Sequence, residues 1–196
     1  MPEIIIKLLE KYHIPRSAMV FEVKESAIMQ DPELALEVLN SMNQHGLVLS
    51  IDDYGTGYSS MSYLKKLPVK ELKIDKSFVI GLASNREDEI LVRSTIDLGH
   101  NLGLKVTAEG VEDEKSLELL KSYGSDTVQG YYISKPLPVA DLNDFLKNSP
   151  FGLSEIPTSG HIMSSHSDNS LVRMLEHRLA KKINRTTRCF CCFPVC

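Results

Sequence analysis

Asp52 and Asp53 are adjacent carboxylates, set between an apolar run, Leu47-Val48-Leu49-Ser50-Ile51, and a glycine-rich turn, Tyr54-Gly55-Thr56-Gly57-Tyr58-Ser59-Ser60. The run reads as a buried strand, which puts both acids at a strand end. Burying one carboxylate is costly, and a like-charged neighbour adds to the cost. At ~4 Å and an effective dielectric of about 20, such a pair is destabilised by roughly 4 kcal/mol. A divalent metal with oxygen ligands would relieve that repulsion. An Asp-Gly turn with both acids in water is the other reading, and this stretch alone leaves both open.

The elements that must position these acids are strands and helices in alternation. One strand starts near Ala18 and closes on Phe21-Glu22-Val23-Lys24-Glu25-Ser26. Another starts near Val69 and closes on Leu72-Lys73-Ile74-Asp75. Leu104 to Ala108 runs into Glu109-Gly110-Val111-Glu112, and Ser125 to Val128 into Gln129-Gly130-Tyr131-Tyr132. Helical spacing separates them over Asp31–Gln44, Arg86–Leu102 and Asp113–Tyr123, and Gly46, Gly103 and Gly124 follow those helices as C-terminal caps do. Asp75 reads as the cap of a segment beginning at Lys76. His13, His45 and His100 read as surface or capping residues. Strand, polar end, helix, glycine, strand is the rhythm of a parallel α/β protein. Polar residues at nearly every C-terminal strand end predict a (β/α) barrel, whose chemistry is built on that rim.

Five segments carry a more specific resemblance: Phe21 to Ser26, Ile51 to Ser60, Leu72 to Phe78, Ala108 to Glu112 and Gln129 to Pro136. In this order they resemble the C-terminal two-thirds of an EAL domain, the bacterial cyclic-di-GMP phosphodiesterase family. Lys24, Tyr54 and Met61 depart from that family's usual residues without removing a group it needs. The resemblance implies an α/β fold, an incomplete TIM-like (β/α) barrel of about five of eight strands, with a partial EAL domain over residues 1–149. It implies metal-dependent hydrolysis of cyclic-di-GMP to the linear dinucleotide, with two divalent cations, Mg²⁺ or Mn²⁺, as cofactors. By resemblance Glu22, Asp52, Asp53 and Glu109 are metal ligands, and Lys73 orients or deprotonates the attacking water. Gln129 binds near that water and the phosphate. Glu25 anchors the loop containing Gly55, Thr56 and Gly57, and Glu112 is a further carboxylate near the site. A lysine beside two metals is expected to have its pKa pushed down. The partners implied are cyclic-di-GMP and upstream sensory or GGDEF domains, while the two unpaired edges of a five-stranded remnant invite pairing with another chain, as in a homodimer.

The family's Glu-Ala-Leu glutamate and an asparagine ligand from a later strand have no counterpart, and Met1–Tyr12 resembles the helix that follows the asparagine strand. The expectation is a chain that starts about three strands late and is inactive alone. The alternative is a degenerate EAL module that acts as a non-catalytic nucleotide- or protein-binding regulator.

Residues 150–196 read as linker and tail. From Ser154 onward there are six Lys or Arg and three acids, a net of +3 against −4 for the whole chain. Ser154 to Ser170 reads as a linker, and Leu171, Leu175, Leu179 and Ile183 recur at helical spacing beside basic residues. The four cysteines, Cys189, Cys191, Cys192 and Cys196, follow no trusted zinc spacing, and Phe193 stands where a prenylation cysteine would be. The tail is therefore expected to be disordered. No signal peptide and no run of 18 apolar residues are read, and no cysteine lies in the globular part. The expected setting is cytoplasmic, without a membrane or a nucleic-acid polymer as partner.

Overall fold

A computed structural model describes residues 2–57, 60–151 and 193–194. The structure divides after Tyr132 into two units. Residues up to Tyr132, together with the short C-terminal strand, make the first, and residues from Ile133 make the second. In chain order the first unit contains α1 (Pro2–Lys11), β1 (Val20–Lys24), α2 (Glu25–Gln30), α3 (Pro32–Gln44) and β2 (Val48–Tyr54). Next come α4 (Met61–Leu64), β3 (Glu71–Ile74), α5 (Lys76–Ile80), α6 (Arg86–Asn101), β4 (Lys105–Glu109), α7 (Glu114–Tyr123) and β5 (Thr127–Gln129). The second unit contains α8 (Val139–Asn148). Strand β6 (Phe193–Pro194) belongs to the first unit and pairs antiparallel with β5.

The strands β1 to β5 are all parallel and lie side by side in sequence order. A parallel neighbour cannot be reached by a tight hairpin, so helices intervene between successive strands. Their starts are set by side chains that satisfy the first free amides. Asp31 accepts from Leu34 N at α3 (3.1 Å), Asn85 from Glu87 N at α6 (2.9 Å) and Asp113 from Ser116 N at α7 (2.8 Å). Pro32 occupies the first turn of α3, where its missing N–H costs no intrahelical bond. The expected terminal glycines are in place, with Gly46, Gly103 and Gly124 at φ of +76°, +73° and +80°.

Alternation along the strands sorts the sheet into two unlike faces. Leu49, Ile51, Leu72, Ile74, Val106, Ala108 and Val128 are each at most 1% exposed. Helix α6 packs against β3 and β4, and α2 and α3 pack against β2. Val92, Ile96, Ile28 and Leu39 on those helices are buried as well. The pairing register collects the polar residues on the opposite face: Glu22 beside Ser50, Ser50 beside Glu71, Lys73 beside Thr107, Thr107 beside Thr127, and Glu109 beside Gln129. The side chains of Glu71, Thr107 and Thr127 are hydrogen-bonded in a row across three strands.

Several boundaries differ from those expected. The first strand stops at Lys24 because Glu25 opens α2. The fourth stops at Glu109, where Gly110 turns the chain at φ +78°. Helices α2, α4 and α8 were not anticipated; α4 has only four residues, too few for a period, and starts where Ser60 accepts from Tyr63 N. In the expected disordered tail, β6 is a strand, made against the β5 edge whose backbone groups would otherwise lack partners. The linker, the Leu171–Ile183 pattern and the four cysteines lie outside the described residues, as do Tyr58 and Ser59. Among the described residues no helix is long and apolar enough to cross a membrane.

Leu72 is fully buried between the polar face and α6, whereas Ile90 on the same helix is 54% exposed. Leu72→Ala is expected to lower the unfolding free energy by about 2–5 kcal/mol, and Ile90→Ala by no more than about 0.5 kcal/mol. Urea titrations of both variants compare the two directly. Equal losses would mean that the core lies elsewhere.

Candidate active site

Because β1 to β5 are parallel, their C-terminal ends share one edge of the sheet, and a single lysine ties several of them together. Lys73, near the end of β3, is 4% exposed. Its Nζ donates to Glu22 Oε1 of β1 at 2.6 Å and to Glu109 Oε1 of β4, and it stands 3.8 Å from Asp52 Oδ1 of β2. A buried ammonium is stable only with such partners, and three carboxylates from three strands surround it.

Asp52 and Asp53 reach the same place by an irregularity. Consecutive residues of a regular strand point to opposite faces, so two adjacent acids could not serve one rim. Here the β2–β3 register shifts between Ile51 and Tyr54, and Asp53 has φ +55°. An extra residue and a left-handed backbone turn the second carboxylate toward the first. One ligand oxygen from each of Asp52, Asp53 and Glu109 lies within 4.8 Å of the other two. Gln129, half-buried, is the register partner of Glu109 on β5. Glu112 is exposed beyond the end of β4 and joins neither the ion-pair group nor the oxygen cluster.

The loop after β2 is held from below. Glu25, 2% exposed, accepts from Gly55 N at 2.9 Å and Gly57 N at 3.2 Å through one oxygen. Gly55 has φ +100°, which a side chain would strain. A Cβ on Gly57 would stand 3.0 Å from the Glu25 carboxyl carbon. Thr56 Oγ1 donates to Asp53 O at 2.8 Å, closing the turn on the acid it follows.

The electrostatics are those of excess negative charge. Burial pushes the Asp52 carboxyl above its usual range, and Asp53 and Glu22 push it further, against the pull of Lys73. Glu109 is raised by burial too, with Asp52 and Glu22 adding to the effect while Lys73 opposes it. Burial alone would lower Lys73, but its bonds to Glu109 and Glu22 outweigh this and hold it well above the usual lysine range. The carboxylates that surround Lys73 favour its charged form, whereas the depression expected of it belongs to a rim that holds two metals. Among the described residues, Asp52 Oδ1 and Ser50 Oγ are buried without a hydrogen-bond partner. An all-oxygen donor set, an orphaned buried carboxylate oxygen and two carboxylates made harder to ionise fit a hard divalent cation such as Mg²⁺ or Mn²⁺.

One contact and one orphaned group had no reading in the sequence. Lys24 Nζ donates to Asp53 Oδ2 at 2.5 Å. The orphaned Ser50 Oγ lies on the polar face two residues before Asp52. Alternate polar positions, as in Val20-Phe21-Glu22-Val23-Lys24 and Lys105-Val106-Thr107-Ala108-Glu109, were the available signal for both. Asp75 and His45 behave as read: Asp75 accepts from Ser77 N at 2.8 Å, and the His45 ring bonds Ser41 O at the end of α3.

The chain matches the model of the EAL domain family over residues 1–136. It is 41% identical over 134 residues to MucR of Pseudomonas aeruginosa, a bifunctional diguanylate cyclase/cyclic di-GMP phosphodiesterase, with 68% of this chain and 20% of that protein covered. The solved PaMucR phosphodiesterase in complex with c-di-GMP superposes with a TM-score of 0.67 at 41% identity, covering 68% of this chain and 54% of that one. The EAL domain of Mycobacterium smegmatis DcpA gives 0.69 at 38% identity, over 74% and 66%. The chain thus spans about a fifth of the length of the curated relative and just over half or two-thirds of the solved domains.

Two consequences are measurable. Glu25→Ala removes the acceptor for two amides of the loop, a loss of about 1–3 kcal/mol where such groups stay buried. The Gly55 and Gly57 amides should then exchange with deuterium faster, and unchanged protection would show that the loop is held otherwise. Asp52→Asn should stabilise the cation-free fold at pH 7 by ~0.5–2 kcal/mol, as single favourable changes do. A carboxyl with a raised folded pKa binds its proton more tightly when folded, so its penalty is absent below the unfolded pKa and develops as pH rises through the folded one. The advantage of Asp52→Asn should therefore fade toward about pH 4, the unfolded range for aspartate. Urea titrations at both pH values decide it.

Proposed function

Because the chain belongs to the EAL domain family, we propose that this rim is the phosphodiesterase site of a module that hydrolyses cyclic-di-GMP to the linear dinucleotide. The observation that carries the reading is Lys73, buried and joined to Glu22 and Glu109 beside the Asp52–Asp53–Glu109 oxygen cluster. Glu22, Asp52, Asp53 and Glu109 are the residues proposed to hold two divalent cations, Mg²⁺ or Mn²⁺. When bound, these supply charge neutralisation at the phosphoryl oxygens and a more acidic water.

The chain's own residues do the positioning. An ammonium has three donors. Lys73 gives two of them to Glu22 and Glu109, leaving the third for the attacking water or a phosphoryl oxygen. Lys73 is proposed to orient or deprotonate the attacking water, the two roles that the family resemblance offers it. Gln129, beside Glu109, is proposed to donate its side-chain amide to the phosphate. Glu25 keeps the loop after Asp53 in the conformation that presents both aspartates. Glu112, exposed, is given no part in the reaction.

Turnover by these 196 residues alone is proposed to be slight, since the rim is formed by five parallel strands where a closed barrel has eight. A non-catalytic, regulatory module is the second reading. It is favoured by one observation: each of the four candidate ligands already has a lysine within 4.0 Å.

Chromatographic assay of the linear dinucleotide with Mn²⁺ tests both readings, on this chain and on one extended by the strands that complete a barrel. The extended chain is expected to turn over cyclic-di-GMP, and Lys73→Ala to reduce its kcat by ~10²–10⁴-fold with KM little changed. An extended chain that binds the dinucleotide without cleaving it would establish the regulatory reading instead.

A further inference from the structure

We infer that Lys24 is a tethered, displaceable cation that competes with divalent metal for Asp53 and so lowers the rim's affinity for metal. This rests on the cation-binding reading above and adds a residue to it. The two rim lysines hold their carboxylates in different ways. Lys73 is 4% exposed, bonded to two carboxylates, and has no water to retreat into. Lys24 is 63% exposed and bonds one carboxylate oxygen, Asp53 Oδ2, at 2.5 Å. Its long stem can carry the ammonium out to solvent at little cost. An arriving divalent ion therefore displaces Lys24 rather than Lys73.

The position of Lys24 is fixed by the sheet. It pairs in register with Asp52, on the polar face two residues beyond Glu22. The bulge in β2 turns Asp53 toward it. Asp53 accounts for most of the raised pKa of Lys24, with Asp52 and Asp75 adding to it. The ammonium thus stands in the field that would draw a metal ion, and binding one requires both that Asp53 be released and that a second positive charge be tolerated nearby. Exposed ion pairs of this kind change an equilibrium constant by about 1.5- to 5-fold, so the competition tunes affinity without abolishing it.

The test is a Mn²⁺ titration of the 196-residue chain, with bound metal read from the loss of the free-ion electron paramagnetic resonance signal. Lys24→Gln should bind Mn²⁺ about two- to fivefold more tightly than the unchanged chain, and Lys24→Arg, which keeps the charge, should not. In an Asp53→Asn background, Lys24→Gln should bring no gain, because the double-mutant cycle isolates the pair. Circular dichroism confirms that each variant is folded. If all variants bind equally, the role of Lys24 is overturned while the cation site stands. A gain that survives Asp53→Asn also overturns it, since the effect would then be general charge. If the 196-residue chain binds no Mn²⁺, the same titrations are made on a chain extended by the strands that complete a barrel, and if that chain binds none either, the cation-binding reading falls and the inference with it.

Discussion

Placing an ammonium where water cannot reach it is among the more expensive things a fold can do, and at Lys73 the expense is met by carboxylates from other strands. Glu22 comes from β1, Asp52 from β2 and Glu109 from β4. Each of these acids would be hard to place at a crowded strand end without the lysine, and the lysine could not be buried without them. Breaking the bonded pair of Lys73 with Glu22 or Glu109 on one side leaves the other uncompensated, so those residues resist change one at a time. Asp52, 3.8 Å from the lysine, instead meets more cost from burial and repulsion than the lysine relieves. The arrangement also fixes the register of the strand ends, because the four groups meet only when β1 to β4 are aligned as they are. The cost remaining after this arrangement is visible in Asp52 and Glu109, which stay harder to ionise than free carboxylates.

The sheet's two faces divide the work. Leu49, Ile51, Leu72, Ile74, Val106 and Ala108 supply the burial that holds helices to the sheet. The other face is given over to Ser50, Glu71, Lys73, Thr107, Thr127 and the rim. Hydrogen bonds among Glu71, Thr107 and Thr127 satisfy polar groups on that face. Stability therefore comes chiefly from one side of the sheet, which leaves the other free to carry charge.

Much of this was legible in the sequence. Strand-end acids, capping aspartates and terminal glycines are local signals, and Asp31, Asp75, Asp113, Gly46, Gly103 and Gly124 act as read. What was not legible depends on neighbours distant in the chain. The bulge at Asp53 exists because β3 pairs out of step with β2, and nothing local to Asp52-Asp53 announces it. The pull of Glu22 and Glu109 on the Lys73 proton was not read, because both acids lie on other strands, distant in the chain. Lys24 looked like a harmless departure because its partner lies 29 residues away. Helix α4 was too short to show a period, and Glu25 read as a strand end although it opens α2.

The backbone of Asp53 constrains how the site can drift over evolutionary time. At φ +55° the residue sits where Gly, Asn and Asp are tolerated and a β-branched side chain is strained. Descendants that no longer need the carboxylate can therefore trade it for Asn or Gly without disturbing the loop held by Glu25. Val, Ile or Thr would cost the turn itself. The conformation can thus outlast the carboxylate: Asn or Gly here would keep the shape without the acid.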